Sequence, residues 1–192
     1  ELLGVELQLD TEVAAGDLTD FDEVVVATGV RPRVVDFDGA DHPMVRGYLD
    51  VLLGDTELGE RVAVVGAGGI GFDVSERITA EPTPSSLDLE AFLAEWNIDR
   101  DVAVPGGLTS PSPSLPRPPR QVTLLQRKAR KVGADLGKTT GWIHRTRLKA
   151  RGVGMLAGVS YDRVDDRGLH VTVNGESQLI EADHVVICAG QE

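Results

Sequence analysis

The chain has 192 residues, of which 41% are hydrophobic and 26% charged, and its formal net charge is −12 at pH 7. This composition indicates a packed domain rather than a disordered chain, and the acidic balance argues against nucleic acid or an anionic membrane as a partner. We expect no membrane span and no secretory signal. The single cysteine, Cys188, excludes an internal disulfide and an all-cysteine metal site within this chain, and it favours a reducing, cytoplasmic location.

Short apolar runs predict strands that are buried on both faces of a parallel sheet. In chain order they lie in residues 21–29, 61–65, 121–125 and 184–189. Helical spacing predicts helices over residues 72–80, 87–96 and 139–151. Alternating apolar residues over 159–180, with Asn174-Gly175 as a tight turn, predict a β-meander. The pattern indicates an α/β fold, interrupted by a long insertion at about residues 81–119 that is rich in Pro, Ser and Gly toward its end.

A glycine-rich loop follows the strand at residues 61–65 and precedes a predicted helix. Its sequence is Gly66-Ala67-Gly68-Gly69-Ile70-Gly71. In a dinucleotide-binding βαβ unit, the first glycine permits a tight turn, the second lets pyrophosphate approach the backbone, and the third lets helix and strand pack closely. The N-terminus of the helix then offers free N–H groups to the phosphates. The alternative is a glycine turn that serves packing only.

The next strand ends in basic residues, Gln126-Arg127-Lys128, where an NAD site usually has a carboxylate. Arginine can pair with a ribose 2′-phosphate through two hydrogen bonds, and lysine can add a point charge. NADPH is therefore favoured over NADH. Alternatively, Arg127 and Lys128 are ordinary surface charges. Position alone does not decide whether other basic side chains take part, namely Arg130, Lys131 and Lys138.

Three further features predict no chemistry of their own. Gly137-Lys138-Thr139 lacks the first glycine and the preceding strand of an ATP-binding loop. His144 has no partner at a spacing that suggests a catalytic triad, and Cys188 lies in an apolar strand and is interpreted as a buried small hydrophobe. The sequence therefore offers no catalytic residue and no metal ligand set.

The two ends of the chain repeat one pattern. Residues 4–13 and 21–29 resemble residues 152–164 and 182–190, because both pairs contain a Gly-Val strand pattern and end in an acidic residue before Val-Val and a closing glycine. We interpret residues 1–39 as the tail of a truncated FAD-binding domain and residues 40–192 as an NADPH-binding domain.

With these motifs, the full chain resembles the C-terminal part of the bacterial NADPH-dependent 2,4-dienoyl-CoA reductases, which are related to old yellow enzyme. The resemblance is carried by FDEVVVATGVRP (21–32), DHPMVRGYLDVL (41–52), VVGAGGIGFD (64–73), RQVTLLQRK (120–128), LGKTTGWIHR (136–145) and residues 168–191. It implies a Rossmann-like, doubly wound parallel sheet with a β-meander, of the flavoprotein type with two dinucleotide-binding domains. It also implies partner domains that bear FAD, FMN and a 4Fe-4S cluster, including a TIM barrel.

The resemblance also assigns roles to residues. Gly66, Gly68 and Gly71 would hold the NADPH pyrophosphate, and Arg127 and Lys128 would bind the 2′-phosphate. Two short segments would face FAD, namely Ala27-Thr28-Gly29 and Ala189-Gly190-Gln191. The isolated chain is then expected to be inactive toward dienoyl-CoA, because the family's catalytic acids lie in the barrel. Two alternatives stay open: a related flavoprotein that acts on another enone or an amine, and a stand-alone NADPH-sensing module.

Overall fold

The computed structural model describes residues 3–81, 83–111 and 113–192. The chain divides into two compact units, residues 1–30 and residues 31–192. Pro82 and Ser112, which belong to the predicted insertion, lie outside the described residues, as do Glu1 and Leu2. None of the described helices combines the length and the apolar character needed to cross a membrane.

The first unit does not contain the strands that its sequence predicts. Its described residues, 3–30, form one 3₁₀ helix, Ala15–Leu18, and otherwise irregular backbone. Val24, Val25 and Val26 are 47%, 88% and 78% exposed. The prediction of strands at residues 4–13 and 21–29 is therefore wrong for this structure. The physical reason is that a buried strand needs neighbouring strands for its backbone hydrogen bonds and cover for both faces, and the described part of this unit supplies neither.

The second unit is built on a parallel sheet. Its five strands are β1 (Val45–Gly47), β2 (Arg61–Val65), β3 (Gln121–Gln126), β4 (Gly154–Ala157) and β8 (His184–Ile187), in the order β1-β8-β2-β3-β4. The helices are α1 (Tyr48–Leu53), α2 (Gly69–Thr79), α3 (Leu89–Glu95) and α4 (Gly141–Ala150), with a 3₁₀ turn at Ser85–Leu87. An antiparallel meander follows β4 and consists of β5 (Val159–Asp165), β6 (Gly168–Val173) and β7 (Glu176–Glu181).

The two faces of the sheet are covered by different elements. Val62 and Val64 of β2 belong to the core beneath the helices, whereas Ala63 and Val65 belong to the core beneath the meander. Successive side chains of a strand point to opposite faces, so the continuous apolar run in β2 is buried on both sides. The predicted Rossmann-like α/β fold with a β-meander is confirmed.

The insertion between α2 and β3 packs part of its length against α4. The Asp88 carboxylate caps α3 by accepting a hydrogen bond from the Ala91 N–H at 3.0 Å. After α3, the Trp96 ring lies 5.3 Å from the Arg147 guanidinium carbon of α4. The described residues of 105–119 form no helix or strand, as predicted, apart from an isolated bridge at Leu108.

Candidate dinucleotide-binding site

The glycine loop joins β2 to α2 at the carboxyl edge of the sheet. Gly66 has φ +106°, and a Cβ added there would lie 2.7 Å from the Cys188 carbonyl oxygen. A Cβ added at Gly71 would lie only 1.8 Å from the Gly66 carbonyl oxygen. Gly66 and Gly71 are thus required by close backbone contact within the protein, and only glycine fits at either position.

The middle of the loop is open to solvent. A Cβ added at Gly68 or Gly69 would meet no atom within 4 Å, and both glycines are exposed. Ala67 and Ile70, by contrast, pack into the core beneath the helices. The loop therefore points its side chains inward and leaves bare backbone outward, which is the arrangement that lets a pyrophosphate approach.

Helix α2 starts at this open backbone. Gly68 is its N-cap and has no side chain to accept a hydrogen bond from the first turn. The first N–H groups of a helix have no partner within the helix, and they lie at the positive end of its dipole. The site therefore offers hydrogen-bond donors to an anion.

The loop after β3 is held in shape by a buried glutamine. Gln126 is 8% exposed, and its side-chain amide donates to the carbonyl oxygens of Lys128 at 2.8 Å and Arg130 at 2.7 Å. The Gly158 N–H donates to the same Lys128 carbonyl at 3.1 Å. The backbone that carries the basic residues is thus fixed from beneath, whatever their side chains bind.

Arg127 stands at the end of β3, beside β2 and its glycine loop. It is exposed, and within the described part of the chain it forms no ion pair. It lines a cavity of about 360 Å³ with Val65, Tyr161 and Ala189. Burial raises the pKa of Tyr161 to about 12, and the Arg127 charge opposes that rise. The Tyr161 hydroxyl donates to the Leu125 carbonyl at 3.2 Å, which ties β5 to β3 beneath this cavity.

Lys128 and Arg130 share one carboxylate. The Lys128 ammonium lies 2.8 Å from Asp135 Oδ2, and the Arg130 guanidinium contacts the same carboxylate. The hydrogen bond from Lys128 is the main cause that lowers the pKa of Asp135. The two basic residues predicted for the 2′-phosphate therefore differ, because Lys128 pairs with Asp135, whereas Arg127 forms no ion pair among the residues that the structure describes.

The two segments predicted to face FAD lie in different units. Ala27, Thr28 and Gly29 are exposed and belong to no strand. Gly190 has φ +101° and packs against the Arg33 side chain, and the Arg33 N–H donates to its carbonyl at 3.2 Å. The next residue, Gln191, forms an isolated bridge with Pro32. The backbone of residues 189–191 is thus ordered by residues 31–33 of the same unit.

The structure gives structural roles to two other residues that the sequence singled out. Cys188 is buried, as interpreted, and burial raises the pKa of its thiol to about 12. His144 does have a carboxylate partner, because its Nδ1 lies 2.7 Å from Glu76 Oε1, and Arg147 contacts the other oxygen at 3.1 Å. This cluster joins α4 to α2. No group of described residues is arranged to hold a metal ion.

Sequence reasoning missed three residues that shape the site, namely Gln126, Asp135 and Tyr161. The sequence contains one indication of the role of Asp135. It is the only acidic residue between Gln121 and Tyr161, a stretch with nine lysines and arginines. A lone carboxylate in such a stretch is expected to find a cation. Gln126 and Tyr161 act through contacts between distant strands, which no local pattern reveals.

The fold and the loop together define a dinucleotide-binding domain of the kind found in flavoprotein reductases. The model of the family described as "Pyridine nucleotide-disulphide oxidoreductase" matches residues 5–192. The chain belongs to this family.

Three proteins with names that indicate reductases are similar to this chain. The chain is 24% identical over 98% of its length to a "Metal reductase" of Desulforamulus reducens and 25% identical over 98% to a "Cinnamate reductase" of Clostridium sporogenes. A solved structure titled as a 2-naphthoyl-CoA reductase complex superimposes with a TM-score of 0.66 and 24% identity over 100% of this chain. The chain spans 28%, 23% and 24% of the length of these proteins, respectively.

Proposed function

We propose that this chain is the NADPH-binding module of a flavin-dependent reductase that passes a hydride from NADPH to FAD for the reduction of a 2,4-dienoyl-CoA. One observation carries the nucleotide part of the proposal. A loop of bare glycine backbone at the start of α2 lies next to Arg127, an exposed arginine at the end of the neighbouring strand that forms no ion pair with any residue the structure describes. Donors for a pyrophosphate and a cation for a further phosphate thus occupy adjacent strand ends.

The residues present fit the dinucleotide. The backbone of Gly68 and Gly69 leaves space for the pyrophosphate and supplies N–H donors at the start of α2. Arg127, and after it Lys128, would bind the 2′-phosphate, and the strand end Gln126-Arg127-Lys128 contains no acidic residue at the position where an NAD site usually has one. When bound, NADPH supplies the hydride that reduces FAD. This chain's own contribution is to bind and orient the nicotinamide dinucleotide.

The remaining parts of the proposal concern a larger protein. The FAD-facing roles of Ala27-Thr28-Gly29 and Ala189-Gly190-Gln191, and the FMN, 4Fe-4S and barrel partners, rest on the resemblance to the dienoyl-CoA reductases. Membership of the family supports FAD and a nicotinamide dinucleotide as cofactors. A second candidate is reduction of another conjugated substrate, favoured by the similarity to a cinnamate reductase and a naphthoyl-CoA reductase. The dinucleotide module would serve either reaction in the same way.

Calorimetric titration of the chain with NADPH and with NADH tests the proposal. We expect tighter binding of NADPH. Arg127→Ala should weaken NADPH binding by about 1.5–3 kcal/mol, the usual loss for a charged hydrogen bond, and leave NADH nearly unchanged. Arg167→Ala is the matched control, because Arg167 is also an exposed arginine and lies in the turn between β5 and β6.

Two results would count against the proposal. Equal affinities of the parent chain for the two dinucleotides would remove the preference for NADPH. Equal losses for both dinucleotides in Arg127→Ala would give Arg127 a role other than binding the 2′-phosphate. The control variant should bind both dinucleotides as the parent chain does.

A further inference from the structure

The carboxylate of Asp135 occupies the basic loop that follows β3. Lys128 and Arg130 both contact it, and all three side chains are substantially exposed, at 44% for Asp135, 63% for Lys128 and 53% for Arg130. Its two oxygens thus make the kind of contact with an ammonium and a guanidinium that the oxygens of a phosphate would make. Within the described part of the chain, Lys128 and Arg130 therefore already have an anionic partner, which is Asp135.

The backbone of this loop does not depend on that carboxylate. On one side, Gln126 holds the carbonyl oxygens of Lys128 and Arg130. On the other side, the Arg145 guanidinium donates to the Gly133 carbonyl at 2.7 Å. Gly133 itself is buried, and a Cβ there would lie 2.6 Å from the Phe72 ring. We therefore expect removal of the Asp135 charge to leave the backbone of Lys128 and Arg130 in place and to free their side chains from this carboxylate.

We propose that Asp135 is a specificity-determining residue that competes with the 2′-phosphate of the dinucleotide for Lys128 and Arg130, and so limits the preference for NADPH over NADH. This inference rests on the proposed function. Arg127 does not contact Asp135, and it makes the first contact with the phosphate. Lys128 and Arg130 bind the phosphate only when they release the Asp135 carboxylate. The carboxylate thus weakens binding of the phosphorylated dinucleotide and favours its release.

The competition is electrostatic and has a defined direction. A 2′-phosphate carries a charge of about −1.5 to −2 near neutral pH. Asp135 places a negative charge beside the position that this group would take, and its lowered pKa keeps it ionised at neutral pH. NADH has no phosphate there, so its affinity should be almost independent of Asp135. Because the groups are exposed, added salt should reduce the effect.

Calorimetry on the full chain with NADPH and NADH, at low and at moderate salt, tests the inference. Asp135→Asn keeps the shape of the side chain, and Asp135→Ser removes the charge without an amide that could still bridge the cations. We expect either variant to raise the ratio of NADPH to NADH affinity by about threefold to tenfold at low salt, and by less at moderate salt. Asp165→Asn is the matched control, since Asp165 contacts Arg163 and His170 at the far end of β5.

The outcomes separate this inference from the proposed function. If the parent chain prefers NADPH and both Asp135 variants leave the ratio unchanged, the competition is refuted while the proposed function stands. A lower ratio in both variants also refutes it, because Asp135 would then position the cations for the phosphate. A parent chain that binds the two dinucleotides equally, or binds neither, overturns the proposed function and this inference together.

Discussion

Two segments of this chain have closely related sequences and opposite environments. Residues 22–29 read DEVVVATG and residues 183–190 read DHVVICAG. In the second segment, Val185 and Val186 are fully buried in β8, between β1 and β2. In the first, the equivalent residues Val24 and Val25 are 47% and 88% exposed in irregular backbone.

The difference shows what an apolar pattern specifies and what it leaves to the surroundings. The backbone of β8 is paired on both sides, since Val186 lies opposite Arg46 of β1 and Val64 of β2. Helices and meander cover its two faces. The described residues of the first unit contain no strand with which residues 22–29 could pair. An apolar run therefore predicts that a segment can become a buried strand, and its neighbours determine whether it does.

The largest difference in stability between the two segments should follow from a charged side chain at the equivalent positions Val186 and Val25. Val186→Asp would put a carboxylate among the buried apolar side chains of the core, and we expect a loss of more than about 4 kcal/mol in the free energy of unfolding. Val25→Asp should change it by less than about 0.5 kcal/mol, because the side chain is already in solvent. Urea unfolding followed by circular dichroism measures both.

Two alanine substitutions test the same contrast if Val186→Asp does not fold. Val186→Ala should cost about 2 kcal/mol through lost packing and the cavity left behind, whereas Val25→Ala should again have little effect. Similar losses at the two positions would mean that residues 22–29 are packed in solution, contrary to the structure.

Much of the second unit could be predicted from local patterns. The run at residues 61–65, the glycine loop and the following helix form one continuous signal, and the structure has β2, loop and α2 in that order. The meander also follows from its sequence. Asn174 and Gly175 have φ +54° and +84°, as a tight hairpin turn requires, and they join β6 to β7.

Side-chain partners between distant elements could not be predicted in this way. The basic end of β3 indicated a phosphate site, but the sequence did not show that Asp135 pairs with Lys128 and leaves Arg127 unpaired. His144 lacked a partner at a recognisable spacing and found Glu76, 68 residues earlier in the chain. Such pairs depend on how the loops and helices pack, and the residue spacing contains no record of that packing.

The two segments should also differ in how fast a cysteine at equivalent positions reacts, although this difference is smaller than the difference in stability. Cys188 is equivalent to Ala27, and burial raises its pKa to about 12, so almost no thiolate exists at pH 8. In a Cys188→Ala background, Ala27→Cys would place an exposed thiol at the equivalent position. We expect a disulfide reagent to label this thiol more than about a hundredfold faster than Cys188, with both rates followed by absorbance.

The denatured chains serve as the control for thiol labelling. In concentrated urea, Cys188 and the introduced cysteine should react at similar rates, because both are then exposed. Fast labelling of Cys188 in the folded chain would mean that β8 opens readily and is not the buried counterpart of residues 22–29.

The smallest contrast concerns the aspartate that begins each segment. Asp183 accepts a hydrogen bond from the Arg61 backbone N–H at 2.8 Å and pairs with its guanidinium at 2.8 Å, and these contacts with Arg61 lower its pKa. We expect Asp183→Asn to destabilise the chain by less than about 1 kcal/mol at pH 7, because solvent screens the pair. Asp22→Asn should have no measurable effect, since Asp22 is exposed in irregular backbone.

The stabilising contribution of Asp183 should change with pH in one direction only. A carboxyl group whose pKa is lower in the folded chain than in the unfolded chain stabilises the fold fully above the unfolded pKa of about 3.9, and this contribution is lost as pH falls through the folded value. The difference in unfolding free energy between the parent chain and Asp183→Asn should therefore be constant near neutral pH and shrink below about pH 4. A difference that grew with acidity would mean that Asp183 is bound in its protonated form, and the ion pair with Arg61 would then not be what anchors the start of β8.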